Sequence, residues 1–313
     1  MFSHEFATAT ARVADGAQVC GLIGQGIPRS LTPPMHEREG AAHGIDYTYL
    51  RFDVPAAAVS GLDLGAFLRR AGEAGMRGLN VTHPFKQTII THLDDLSADA
   101  RRLGAVNTVV FDVGRAIGHN TDWSGFARNF EASFGPAAAQ PVPLDTVVQL
   151  GAGGAGSAVA YAMLTQPVRT FHIIDADATR AASLASSLRA TFPDRTIVAG
   201  SLSDAPQRIA DSDGVVHATP VGMADHPGVA IDPSILRPDL WVADVVYRPV
   251  VTELIATARS LGARTLTGDG MAVFQAADAF ELFCGVPADG DRMLAHMNEL
   301  IAAESLTPVR RSA

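Results

Sequence analysis

The stretch TVVQLGAGGAGSAVAYAML, residues 146–164, decides the fold of the second half of the chain. An apolar run, TVVQL, leads directly into Gly151, Ala152, Gly153, Gly154, Ala155 and Gly156, and an Ala-rich apolar run follows. β-Branched residues before the glycines favour a strand and the unbranched run after them a helix, so the glycines form a strand-to-helix turn. In a GxGxxG turn the first glycine permits the tight reversal. The second lets backbone amides approach a pyrophosphate, and the third lets helix and strand pack closely. The helix N-terminus then favours the anion. Glycines at this spacing also occur in ordinary tight turns, and here the flanking strand and helix patterns favour dinucleotide binding.

Toward the C-terminus, TFHIID, GVVHATP, WVADVVY and ARTLTG read as further strands, which implies a mainly parallel sheet. TFHIID ends on Asp175, whose carboxylate can accept hydrogen bonds from ribose hydroxyls and would repel a 2′-phosphate. Asp177 adds to that repulsion. Arg180 opposes it, since a guanidinium can pair with a phosphate or stack on adenine. The plainer alternative is a solvated acidic turn with Arg180 as its counter-ion. The cofactor reading is NAD, with NADP less favoured.

Toward the N-terminus the alternation continues. QVCGLIG (18–24), YTYLRFDV (47–54) and GLNVT (78–82) read as strands, and NTVVFDVGRAIGHNT (107–121) as two short strands around Gly114. PPMHEREGAAHG, LDLGAFLRRAGEAG, FKQTIITHLDDL and SADARRLGA read as helices, while residues 1–17 give little local signal. A helix at DWSGFARNFEASF and a Pro/Ala-rich link, GPAAAQPVP (135–143), carry the chain across. The expected fold is two-domain α/β. An N-terminal α/β substrate domain spans residues 1–125, completed by C-terminal helices in 275–313, and a Rossmann-type, doubly wound dinucleotide-binding domain spans 126–274.

Ligands of open α/β sheets sit beyond the carboxyl ends of the strands. Polar residues gather there in the first half: Ser30 and Thr32; Thr82 and Lys86; Asn107; then Asn120, Thr121 and Asp122. GLNVTHPFK ends a buried strand on a proline and sets an ammonium group just beyond it, staging that suits a cleft. Hydroxyls, an amide, an ammonium and a carboxylate together suit a small polyhydroxylated, anionic ligand. Singly, each has a duller reading: Ser30 and Thr32 as turn and cap residues, Thr82 and Asp122 as helix caps, Asn107 as a partner for a buried backbone group.

The formal net charge is −9, with 47% hydrophobic and 18% charged residues and no basic stripe, which argues against a nucleic-acid partner. No apolar run approaches the ~18 residues that span a bilayer. Cys20 and Cys284 stand outside any CxxC pair, and the N-terminus shows neither a basic start nor an apolar core, so the expected compartment is the cytoplasm. The 10 histidines show no HExxH or other ligand spacing, and no metal is expected. Oligomeric state stays open between monomer and homodimer.

RSLTPPMH, GLNVTHPFK, LGAVNTV, GHNTDWSGF, GAGGAG, DVVYRP and GDGMAVFQA stand in an order that resembles the shikimate dehydrogenases, from about Gly21 to Val286. Within that family, GLIGQG leading into a Ser-x-Thr pair and the acidic end of TFHIID are similar to the NAD-dependent quinate/shikimate dehydrogenase branch. NADP-using members typically carry Asn-Arg-Thr where this chain has Asp175, Ala176 and Asp177. The resemblance implies that Ser30 and Thr32 bind the substrate carboxylate, with Tyr247 nearby. It implies that Thr82, Asn107 and Gln275 bind ring hydroxyls, and that Lys86 and Asp122 form the catalytic pair at the reacting oxygen. It also implies that Val245 and Gly268 line the nicotinamide and that Thr219 and Val221 border the cofactor. Two departures carry no assigned role: His217, where the family usually has Asn, and His83, where many members have a smaller or apolar residue. The implied activity is oxidation of a ring hydroxyl of quinate or shikimate by NAD. The alternatives are an NADP-dependent biosynthetic shikimate dehydrogenase and a non-catalytic NAD-binding regulator. Loss of Lys86 or Asp122 would mark the regulator, and both are present.

Overall fold

Strand and helix alternate along the chain as the apolar period does, and a computed structural model describes residues 1–306. The first elements are α1 (Ser3–Ala14), β1 (Gln18–Gly24), α2 (Thr32–Ala42) with proline in its first turn, and β2 (Tyr47–Asp53). Next come α3 (Leu64–Glu73), begun by the Asp63 carboxylate accepting from the Ala66 amide, and β3 (Gly78–Val81). β4 (Asp95–Leu96), α4 (Ala98–Leu103), β5 (Thr108–Asp112) and β6 (Arg115–His119) complete the run. These belong to one unit, Met1–Thr121 together with the chain from Ala276 onward. Its six-stranded sheet has the order β2-β1-β3-β5-β6-β4. β1 runs parallel to β2 and β3, whereas β5 is antiparallel to β3 and β6.

Two segments of this unit differ from expectation. Residues 3–14 form α1, whose Phe6 packs with Phe2, Phe52 and Phe67 in a ring cluster with centroid separations of 5.0–5.8 Å. The expected helix at FKQTIITHLDDL is instead a 3-10 turn, Thr88–His92, followed by β4. The run Thr88-Ile89-Ile90-Thr91 is β-branched throughout and loses side-chain freedom in a helix, while Asp95 and Leu96 gain a partner in β6.

The second unit is Asp122–Gln275. It holds α5 (Asp122–Phe134), β7 (Thr146–Leu150), α6 (Gly154–Thr165), β8 (Thr170–Ile174), α7 (Ala178–Thr191), β9 (Thr196–Gly200) and α8 (Ala205–Ala210). β10 (Gly214–His217), β11 (Trp241–Asp244), α9 (Glu253–Ser260), β12 (Arg264–Leu266) and the start of α10 (Asp269–Cys284) follow. All strand pairs are parallel, in the order β12-β11-β10-β7-β8-β9. That is the doubly wound Rossmann order, with the direction of strand addition reversing between β7 and β10. β9 was not foreseen, because only Ile197 of TIVAG is fully buried and an edge strand leaves little apolar signal.

α11 (Gly290–Leu306) belongs to the first unit and is tied to α2. Glu39, 1% exposed, accepts from the Arg292 guanidinium at 2.6 and 2.9 Å and from the Asp289 amide at 2.8 Å. Burial alone would raise the Glu39 carboxyl; Arg292, the Asp289 amide and His43 outweigh it and hold the carboxyl below its ordinary range. Residues 307–313 of the expected C-terminal segment lie outside the described residues. Among the described residues no helix is long and apolar enough to cross a membrane.

Candidate active site

In the first unit the ends of β1, β3 and β6 and the start of β5 share one edge of the sheet. A Cβ on Gly24 would lie 2.2 Å from the Thr82 methyl, so glycine alone lets these two loops meet. The Thr82 amide donates to the Ile23 carbonyl at 3.0 Å, and the Gln25 amide to the His83 carbonyl at 2.9 Å. The Lys86 carbonyl accepts from Val106 at 2.8 Å, and the Asn107 carbonyl from Val81 at 2.7 Å. Main-chain bonds therefore fix Thr82, Lys86 and Asn107 at one edge.

Asn107 is 3% exposed. Its Oδ1 accepts from the Thr121 amide at 2.7 Å and the Thr108 hydroxyl at 3.0 Å, and its Nδ2 donates to the Thr121 hydroxyl at 2.9 Å. Ser30 Oγ accepts from the Thr32 amide at 3.3 Å, the turn geometry of the plainer reading. That bond leaves the serine hydroxyl able to donate to a carboxylate.

In the second unit the parallel strands bring the turns after β7, β8, β10, β11 and β12 to one edge. Gly151 has φ +101°, and a Cβ there would lie 2.5 Å from the Ala218 carbonyl oxygen. The glycine turn thus touches the loop of Thr219 and Val221 across the point where strand order reverses. A Cβ on Gly156 would lie 2.3 Å from the Gly151 oxygen, and one on Gly268 would lie 2.3 Å from the Val245 oxygen. At Gly153 and Gly154 an added Cβ would meet nothing within 4 Å. Gly153 is the N-cap of α6 and no side chain caps that turn, an arrangement that fits a pyrophosphate at the helix N-terminus.

Asp122, 8% exposed, stands in the first turn of α5. Gly125 lets α5 approach α10: a Cβ there would lie 2.5 Å from the Gln275 nitrogen. Gln275 Nε2 donates to the Ala272 carbonyl at 2.9 Å. Tyr247 is half-buried after β11, and burial raises its hydroxyl above the ordinary range.

Asp175, at the end of β8, has both oxygens engaged. One accepts from the Ala152 amide at 2.7 Å and the other from the Asp177 amide at 2.8 Å. The carboxylate braces the glycine turn and keeps lone pairs for further donors. Asp177 caps α7; the Arg180 and Thr179 amides hold its carboxyl below the ordinary range. Arg180 Nε lies 4.0 Å from Asp175, and a terminal nitrogen lies 3.6 Å from Asp177.

Sequence reasoning passed over three polar residues set in apolar strands. Gln149 of β7 donates from Nε2 to the Gly151 and Gly156 carbonyls, both at 2.8 Å. Asn80 of β3 donates to the Thr108 hydroxyl at 3.0 Å and accepts from the Tyr49 hydroxyl at 2.6 Å, behind Asn107. Asp244 ends β11 and is 2% exposed. The usable signal was the burial of polar groups itself, since such groups need partners. His217, unassigned from sequence, has Nδ1 2.9 Å from Asp244 and Nε2 2.5 Å from the Thr219 hydroxyl. His83 is exposed. Among the described residues no group of three His, Cys, Asp or Glu side chains is placed to hold a metal ion.

Residues 22–109 match the shikimate dehydrogenase substrate binding domain. The chain is 54% identical over 286 residues to a shikimate dehydrogenase (NADP(+)) of Pseudarthrobacter chlorophenolicus, covering 91% of this chain and 96% of that protein. It is 48% identical over 274 residues to a quinate/shikimate dehydrogenase (NAD(+)) of Corynebacterium glutamicum, covering 87% and 95%. Among solved structures it is similar to a quinate dehydrogenase from Corynebacterium glutamicum in complex with NAD. That match has a TM-score of 0.84 at 46% identity, over 90% of this chain and 99% of that one. Identity of this degree, sustained across both units, shows that the chain belongs to the shikimate dehydrogenase family.

Proposed function

We propose that the chain is an NAD-dependent dehydrogenase that oxidises a ring hydroxyl of quinate or shikimate to the corresponding 3-dehydro ketone. The observation that carries this reading is the polar edge of the first sheet, where main-chain bonds hold Thr82, Lys86 and Asn107 together. We assign the dinucleotide to the second unit. Ser30, Thr32 and Tyr247 bind the carboxylate, and Thr82, Asn107 and Gln275 the ring hydroxyls. Lys86 and Asp122 act at the reacting oxygen: they take up the hydroxyl proton during oxidation and return it during reduction, and the ammonium stabilises negative charge on that oxygen. Bound NAD supplies the hydride acceptor. The amides of Gly153 and Gly154 hold its pyrophosphate, Val245 and Gly268 line its nicotinamide, and Thr219 and Val221 border the cofactor.

NAD is favoured over NADP by the carboxylates at the end of β8. A 2′-phosphate placed near Asp175 would also face Asp177, whose side chain is 49% exposed. The 48% identical relative and the 46% identical structure are NAD proteins by name, in line with this choice. A second reading, NADP-dependent shikimate dehydrogenase, is supported by the 54% identical relative and by Arg180, 54% exposed and able to meet a phosphate. Initial rates with quinate and shikimate, each with NAD and NADP, separate the two. The proposal expects faster reduction of NAD with at least one substrate, and faster NADP reduction with shikimate alone would replace it with the second reading. The compartment we assign is the cytoplasm, in keeping with two cysteines that are both free thiols.

A further inference from the structure

At the ends of β10 and β11 a chain of buried side chains joins two loops that sequence separates widely. His217 and Asp244 are 1% and 2% exposed. The Asp244 carboxylate also accepts from the Val246 amide at 3.0 Å and from the Thr252 hydroxyl at 2.6 Å. Thr252 in turn accepts from the Ile255 amide at 3.3 Å and caps α9. A carboxylate that receives these donors can only accept from His217 Nδ1; in the neutral imidazole Nε2 is then an acceptor. The Thr219 hydroxyl therefore donates to Nε2, and Thr219 Oγ1 accepts from the Val221 amide at 3.2 Å. Every polar atom along this path has its partner, and the direction of each bond fixes the next.

We propose that His217 and Asp244 are positioning residues for the nicotinamide end of the cofactor, acting through Thr219. The assignment rests on the proposed function, which sets Val245 beside the nicotinamide and Thr219 and Val221 at the border of the cofactor. The two strand ends are joined by the Val245 amide donating to the His217 carbonyl at 3.0 Å and by the imidazole: Val221 and Thr219 hang from Nε2, and Val246, next to Val245, hangs from the carboxylate that holds Nδ1. A histidine spans the gap because its two nitrogens face opposite ways. An asparagine carries both of its polar atoms at the δ position, short of where Nε2 stands, so with Nδ2 kept on Asp244 it falls short of Thr219.

The test uses the full-length protein and calorimetric titration with NAD and with ADP-ribose, which lacks the nicotinamide. His217→Asn keeps a donor for Asp244 and removes the link to Thr219; Thr219→Val removes the same link from its other end; Thr219→Ser restores the hydroxyl. The expected result is a rise of about three- to tenfold in the NAD dissociation constant for His217→Asn and Thr219→Val, the loss of one hydrogen bond's net worth. ADP-ribose affinity should stay within about twofold, Thr219→Ser should bind NAD like the parent, and the double variant should be no weaker than the weaker single one. Equal weakening of both ligands, or unchanged NAD affinity, overturns the proposal. Should His217→Asn fail to fold, the half-buried Thr219 pair carries the test. A parent protein that shows this binding pattern yet turns over neither quinate nor shikimate would sink the dehydrogenase reading and leave the positioning role standing. One that turns over without the pattern does the reverse.

Discussion

At the edge of the second sheet the chain offers main-chain amides; at the edge of the first it offers side chains. The amides of the glycine turn stand where they do because Gly151, Gly156 and Gly268 admit backbone approaches that any Cβ would block. The side chains of Thr82, Lys86 and Asn107 stand where they do because neighbouring strands hold their own backbones. A backbone site is lost by adding one carbon atom, and a side-chain site by removing a few. On the proposed function, recognition of a shared cofactor and recognition of a particular substrate are thus written in different parts of the amino acid. Substitutions should separate them.

The largest effect is expected at Lys86. Lys86→Ala should lower turnover by about 10²–10⁴, the range for general acid–base catalysis, while NAD binding measured calorimetrically stays near the parent value. A loss smaller than about tenfold would remove Lys86 from the reacting centre. The converse is Gly156→Ala, which sets a methyl 2.3 Å from the Gly151 oxygen, a backbone atom with little room to yield. Overpacking of this kind costs about 1–3 kcal/mol, and here it should appear as weaker NAD binding and a lower Tm. Unaltered NAD affinity would mean that the turn is not the dinucleotide site.

A smaller effect separates the units by pH. His36, in the core of the first unit, is lowered from 6.5 to about 3 by burial, with Glu39 opposing weakly. Its Nε2 has no hydrogen-bond partner among the described residues, and its ring packs 4.9 Å from that of Tyr49. The unfolded chain takes a proton below pH 6.5 while the folded chain does not until about pH 3, so stability is complete above 6.5 and falls as pH drops through that window. By about pH 5 the linkage amounts to about 2 kcal/mol. His36→Phe should flatten this acid limb in denaturant titrations. An unchanged slope would assign the acid sensitivity to other groups.

The glycine turn and the strand-end polar residues were legible because their chemistry is local. Gly151 to Gly156 declare the turn within a few residues, and Thr82 to Lys86 declare the loop after β3. What was missed lies in edges and in partners far apart in sequence. TIVAG buries too little to look like a strand, and the segment read as one helix is a β-branched 3-10 turn at 88–92 leading into β4, whose partner β6 lies some twenty residues on. Nothing near His217 announces Asp244, because the strands that bring them together pair in parallel and the chain between them is long.

Gln149 shows what such hidden partners accomplish. Its amide nitrogen grips the carbonyls at both ends of the glycine turn from below, in a strand otherwise made of Val, Leu and Thr. The most pliant stretch of the chain is thereby clamped before any cofactor arrives. The entropy of ordering it is charged to folding, and dinucleotide association begins from a preorganised receptor.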